Sequence, residues 1–263
     1  MKIIGLAVAA AGIMAMTAHA DTASENPAGY KPTILITGSN RGIGFEFVRR
    51  FSERDWRIIA TARKPDEATE LQALAANDPD IIIEQLDVTD HPRIEELAAK
   101  YQEQPVDILL LNAAMGPSGL QTLAKLDFDR ARLSFETNTI GPVKITQAFM
   151  ENVKASQKKQ VIAMSSDSGS FVAGSQRPIL WHYKASKAAL NMYFHTLHFE
   201  ADKRGVTVVM LHPGLVATNP QMEKFPGVMQ TEDSVNQMLA VMDKLTLEDN
   251  GRFISYEGET MPW

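Results

Sequence analysis

Tyr183 and Lys187 stand four residues apart, which on a helix puts them on one face. A phenol beside an ammonium group is a proton-transfer pair. Free tyrosine titrates at about 10, too high for easy exchange at neutral pH, and a nearby ammonium favours the phenolate by about 1–3 pH units. The same spacing also arises when an inward tyrosine precedes a solvent-reaching lysine, so the pair needs company to mean catalysis. Two further groupings supply it. Thr37-Gly38-Ser39-Asn40-Arg41-Gly42-Ile43-Gly44 carries three glycines between an apolar run and a helical one. Gly38 lets the chain turn, and Gly42 and Gly44 let backbone and helix approach a pyrophosphate held by the unpaired N–H groups of a helix N-terminus. Ser165-Ser166-Asp167-Ser168-Gly169 follows another apolar run, where serines are otherwise common turn formers. Asn138 sits inside a long helical stretch, a poor place for asparagine without some further reason.

The elements that must position these residues alternate. Short apolar runs at Thr33–Thr37, Arg57–Thr61, Ile81–Ile83, Val106–Leu111, Val161–Met164, Val206–Leu211 and Arg252–Ser255 predict strands. Helical spacing covers Ile43–Arg54, Glu67–Ala76, Ile94–Tyr101, a long stretch from about Phe128 to Ala155, and Tyr183–Lys203. Continuous apolar strands between amphipathic helices imply a parallel sheet covered on both faces, a doubly wound α/β fold in one domain. Ligands of such sheets sit at the carboxyl ends of the strands.

Composition narrows the function classes. The 263 residues carry 26 Lys+Arg against 32 Asp+Glu, a formal charge of −6. That mild acidity lacks the basic excess of a nucleic-acid binder. The absence of cysteine excludes disulfides, thiolate metal sites and cysteine nucleophiles together. His182, His195, His198 and His212 offer no metal-ligand spacing with a third partner, so no metal site is expected. The 13 methionines read as core filler and pocket lining, notably Met115, Met222 and Met229.

The G-x-x-x-G-x-G spacing, with Thr37 before it and Ile43 inside it, resembles the short-chain dehydrogenase/reductase family. The likeness continues in the family's order through Asn112-Ala113, Asn138-Thr139-Ile140-Gly141, Ser165-Ser166 to Gly169, Tyr183 to Lys187, and Pro213-Gly214 with Thr218 beyond. The ending from Gly251 to Trp263 looks like the C-factor and sniffer-type carbonyl reductases. Leu111 and Ala114 depart from the family's Asn-Asn-Ala-Gly, which puts the backbone path near the nicotinamide ribose in question.

The resemblance implies a Rossmann fold and hydride transfer between a nicotinamide cofactor and a small carbonyl or alcohol. It implies Tyr183 as acid/base, Lys187 as its tuner and a ribose ligand, Ser166 as the hydroxyl that polarises the carbonyl, and Asn138 as holder of a water leading to Lys187. Ser165 and Ser168 are alternatives to Ser166. Gly38, Asn40, Arg41, Gly42, Ile43, Gly44, Asp87, Val88, Asn112, Ala113, Pro213, Gly214 and Thr218 would contact the cofactor. Ala60-Thr61-Ala62-Arg63-Lys64 ends the second strand with no acid, and Arg41 adds a second cation. An acid there suits a ribose 2′-hydroxyl and an arginine suits a 2′-phosphate, so NADP(H) is expected. Val172–Trp181 and Val216–Met229 should wall the substrate pocket, since loops carry specificity. Dimers or tetramers of the chain through its two long helices fit the family. The other reading is a non-catalytic NADP(H)-binding or signalling protein on the same fold.

Lys2, the uncharged apolar run Ile3–Met16, and Ala18 and Ala20 form the pattern of a secretory signal with cleavage after Ala20. Residues 21–32, with Pro27 and Gly29, read as a linker, and 33–263 as the domain. The apolar run is shorter than the roughly 20 residues a membrane span needs, so export is expected, or a cytoplasmic protein if the signal goes unused.

Overall fold

The computed structural model describes residues 29–117, 121–174, 176–218 and 226–263. The expected signal segment, most of the linker and Met222 lie outside them. Residues 31–263 form one compact unit.

Seven parallel strands make its sheet: β1 (Thr33–Ile36), β2 (Arg57–Ala62), β3 (Ile81–Gln85), β4 (Ile108–Leu111), β5 (Gln160–Met164), β6 (Thr207–His212) and β7 (Phe253–Ser255), in the order β3-β2-β1-β4-β5-β6-β7. The order reverses between β1 and β4, so a crevice opens at their carboxyl ends. Alternate residues of β1 serve opposite layers. Ile34 and Ile36 pack with Phe47 and Phe51 of α1 (Gly42–Ser52) and Met238 of α7 (Thr231–Met242). Leu35 packs with Ile94 of α3 (His91–Lys100), Phe149 of α5 (Gly141–Lys154) and Phe194 of α6 (Trp181–Asp202). All of these side chains are about 1% exposed or less. Period-two burial of a wholly apolar strand is what two helical layers require.

Two expectations change, and one helix is added. The stretch 128–155 is not one helix. It runs as α4 (Phe128–Phe135), a π turn over Glu136–Ile140, and α5. The Gly141 N–H reaches back five residues to the Glu136 carbonyl, and π turns of this kind gather at functional sites. The helix expected at 67–76 is a 3₁₀ turn at Pro65–Glu67 followed by α2 (Thr69–Ala75), because Ala68 leaves helical geometry at φ −91° and ψ 61°. Helix α7 was not assigned from sequence, although Val235, Met238, Leu239 and Met242 show helical spacing and all are buried.

Candidate active site

The crevice has two walls. On the β1–β2 side the chain leaves β1 through Thr37 and turns at Gly38 with φ +70°. A Cβ on Gly38 would lie 2.9 Å from the Ala113 Cα, and one on Gly44 only 2.2 Å from the Gly38 carbonyl oxygen and 2.5 Å from Asn112 Nδ2. Neither glycine has room for a side chain. Asn112 Nδ2 donates to the Thr37 and Gly38 carbonyls at 2.9 and 3.1 Å, and the Asn112 and Ala113 N–H groups both donate to Thr37 Oγ1 at 3.0 Å. The backbone path that Leu111 and Ala114 put in question is therefore braced by Asn112 and Thr37.

Among the described residues no side chain caps α1, whose N-cap is Arg41, so its first-turn N–H groups are left open at the carboxyl edge of the sheet. Ser39 N–H donates to the Thr61 carbonyl at 2.8 Å, which ties the loop to the end of β2 beside Arg63. Asn40, Arg41 and Arg63 are exposed, and among the described residues neither arginine has an acidic partner. Asp87 accepts from Thr89 N–H at 3.0 Å and its hydroxyl at 2.8 Å, fixing the turn after β3. Val88 is buried, and a Cβ on Gly141 would lie 2.4 Å from the Val88 carbonyl oxygen, so that glycine brings α5 against this turn. Thr218 comes to Gly42, where a Cβ would meet the threonine side chain at an ordinary 3.5 Å. Gly214, with φ +82°, is held by Pro213, whose carbonyl accepts from Ser234 Oγ at 2.6 Å.

The other wall is built from hydroxyls. Ser166 ends the loop after β5, where its Oγ accepts from Ser168 N–H at 3.1 Å and donates to Asp167 Oδ1 at 2.9 Å. Ser165 donates instead to the buried Asn191 Oδ1, and Ser168 leans on Asp167 at 3.3 Å. Of the three serines only Ser166 stands beside Tyr183, where its hydroxyl favours the phenolate. Gly169 allows this contact, since a Cβ there would sit 3.0 Å from the Lys187 backbone. Burial dominates the phenol and raises it above its ordinary value, and the Asp167 carboxylate adds to the rise.

Lys187 is fully buried, donates to the Met164 carbonyl at 2.6 Å, and lies 5.9 Å from the Tyr183 ring centre. Burial lowers it to about 8. In this structure the Lys187 ammonium is itself desolvated and donates to a backbone carbonyl, and the shift of the phenol comes from burial, Ser166 and Asp167.

Asn138, in the π turn, locks its side chain onto Met115. Its Oδ1 accepts from the Met115 N–H at 2.7 Å, and its Nδ2 donates to the Met115 carbonyl at 3.0 Å and to Ser186 Oγ at 3.0 Å. The polar atoms of the Asn138 side chain are thus engaged by protein groups. His195 and His198 join Phe199 and Trp263 in an aromatic cluster remote from these groups in the contact pattern.

The model of the family described as short chain dehydrogenase matches residues 32–228. The chain belongs to this family. A Schizosaccharomyces pombe protein called an uncharacterized oxidoreductase is 32% identical over 250 residues, covering 87% of this chain and 97% of its own. The chain also resembles the NADPH-bound carbonyl reductase from chicken fatty liver, with a TM-score of 0.80, 30% identity, and coverage of 89% of this chain and 99% of that one. The carbonyl reductase Sniffer of Drosophila melanogaster gives a TM-score of 0.81 at 27% identity, over 89% and 100% of the two chains.

Within this short-chain dehydrogenase, sequence reasoning passed over several groups the site depends on. Thr37 and Ser186 work through single hydroxyls whose partners are far along the chain. Ser186 Oγ donates to the Tyr183 carbonyl at 2.8 Å, and Thr139 Oγ1 to the Ser186 carbonyl at 2.8 Å, pinning α6 to the π turn. Asp167 also receives attention only here: its N–H donates to His212 Nδ1 at 3.2 Å while its carboxylate orients Ser166. No spacing rule singles out such residues. Pocket walls expected at 172–181 and 216–229 are described in part. Val216 pairs with Met229, and the Met229 N–H donates to the Leu215 carbonyl at 2.8 Å.

Proposed function

We propose that the protein is an NADP(H)-dependent carbonyl reductase acting on small ketones or aldehydes. The observation that carries the reading is the meeting of Tyr183, one helical turn before buried Lys187, with Ser166, which follows β5 at the same carboxyl edge of the sheet as the glycine turn after β1. The cradle fits a dinucleotide: the uncapped start of α1 suits its pyrophosphate, and Asp87 with Val88 lies where an adenine would rest. Arg41 and Arg63, without acidic partners among the described residues, suit a 2′-phosphate. NADPH-bound carbonyl reductase among the similar structures supports the same choice. Bound there, the cofactor supplies the hydride.

The chain's own groups handle the oxygen. Ser166 and Tyr183 stand beside each other, so a carbonyl bound between them can draw the Ser166 hydroxyl from Asp167 and accept from both, stabilising the negative charge that grows on its oxygen. A phenol raised by burial is protonated at neutral pH, so Tyr183 is set up as the acid of the reductive direction. Lys187 sits beneath as the nearest cation, and with a value of about 8 it exchanges its proton near physiological pH. Tyr183→Phe should lower kcat by about 10²–10⁴-fold while leaving NADPH binding, read by fluorescence titration, within a few-fold of wild type. An unchanged kcat on a good carbonyl substrate overturns the reading. Cofactor binding without turnover across a carbonyl panel favours the non-catalytic alternative.

Two further readings rest on less. The pattern of residues 1–20 supports export, and the amino-terminal sequence of the protein recovered from cells tests it. Exposed Leu133 on α4 and Met192 and Phe199 on α6 support a homo-oligomer, tested by light scattering.

A further inference from the structure

A narrow cleft lies beside Tyr183, away from the loop that carries Ser166. Gln121, Arg130, Ser134 and His182 line it together with Tyr183 itself. Its free interior is about 10 Å³, room for one group of water size. Four features mark it as a site for an anion. His182 is only 8% exposed, yet among the described residues its Nε2 has no hydrogen-bond partner. A buried polar atom left unpaired costs free energy that a ligand can recover. Arg130 is half-buried and has no acidic partner among the described residues. No carboxylate lines the cleft, although the chain as a whole carries a net charge of −6. Finally, the acidic group of this neighbourhood, Asp167, lies on the Ser166 side of the phenol. A bound anion is thus repelled from one side of the catalytic hydroxyls and attracted to the other.

We infer that this cleft takes one oxygen of a carboxylate on the substrate, so that oxo acids are the preferred carbonyl compounds. The inference rests on the reductase reading and adds the substrate class to it. Arg130 provides the charge and the forked donors that match a carboxylate, and His182 Nε2 and the Ser134 hydroxyl offer the remaining donors. The neutral ester of the same acid lacks the charge that Arg130 would pair with.

Two matched probe pairs test it: 4-formylbenzoate against its methyl ester, and 4-oxopentanoate against its methyl ester. With the full enzyme and NADPH, at least one acid should exceed its ester in kcat/KM by about tenfold or more, chiefly through KM. Arg130→Ala should bring that ratio toward one. Arg130→Lys, which keeps the charge without the fork, should fall between. Esters equal to or better than both acids in the wild type overturn the inference, as does an acid-to-ester ratio that Arg130→Ala leaves unchanged. If neither member of either pair is reduced, the reductase reading fails for these compounds and the cleft is read by binding. The acids, and not the esters, should then raise the Tm of the wild type but not of Arg130→Ala, and no such stabilisation overturns the subsite.

Discussion

The two walls of the crevice are held in different ways. The wall after β1 is made of backbone: Gly38 and Gly44 have no room for a Cβ, and Asn112 and Thr37 tie the turn to β4 through main-chain groups. The wall after β5 is made of side chains that meet across long stretches of sequence. Ser166 meets Tyr183, Asn138 meets Met115 and Ser186, and Lys187 meets Met164. A wall that receives a phosphate needs close approach and N–H groups, which glycine supplies wherever it sits. A wall that moves a proton needs a few chosen hydroxyls, and their neighbours decide which are free. Ser165 and Ser166 show this within two residues. One is tied to Asn191, and the other stands at the phenol.

The sharpest way to break this contrast is to remove the hydroxyls in turn. Ser166→Ala should cost about 10²–10³-fold in kcat, the usual size for one lost donor to a developing oxyanion. Ser165→Ala should stay within a few-fold in kcat and instead lower Tm, because it leaves the buried Asn191 amide with one partner fewer. Steady-state kinetics on both variants decides it, and equal losses would dissolve the distinction between them.

Next in size is the buried cation. Lys187 falls from 10.5 to about 8 on folding, so the unfolded chain binds its proton more tightly. The resulting penalty is roughly 3 kcal/mol, fully present below pH 8, and it disappears as pH rises toward 10.5. Lys187→Met should therefore lose activity, and its stability relative to wild type should decline as pH is raised from 8 to 10.5. Denaturant unfolding of both proteins at several pH values checks the slope, and parallel curves contradict it.

The smallest expected effect lies on the backbone wall. Arg63→Ala should reduce the preference for NADPH over NADH by about 10–100-fold, the worth of one charge-assisted pair, with NADH binding little changed. Fluorescence titration with both cofactors reads it. An unchanged preference moves the 2′-phosphate contact to Arg41 or elsewhere.

Much of the molecule was legible before any coordinates. The strands were placed within a few residues because apolar runs such as Thr33-Ile-Leu-Ile36 can only be buried on both faces, and that in turn demands two helical layers. The cradle was legible because glycine in a strand-to-helix turn is a local requirement, and Tyr183 with Lys187 because four residues on a helix share a face. The tertiary structure decided the rest. It stood Ser166, rather than Ser165 or Ser168, beside the phenol, replaced a continuous helix by a π turn around Asn138, and aimed the Lys187 ammonium at a carbonyl. It also gathered Arg130, His182 and Tyr183, from two helices, around one cleft. Local spacing determines which conformations a segment can take. Which hydroxyl stands at the phenol, and how far burial moves a phenol or an ammonium, depends on partners tens of residues away along the chain, brought near only when the layers close.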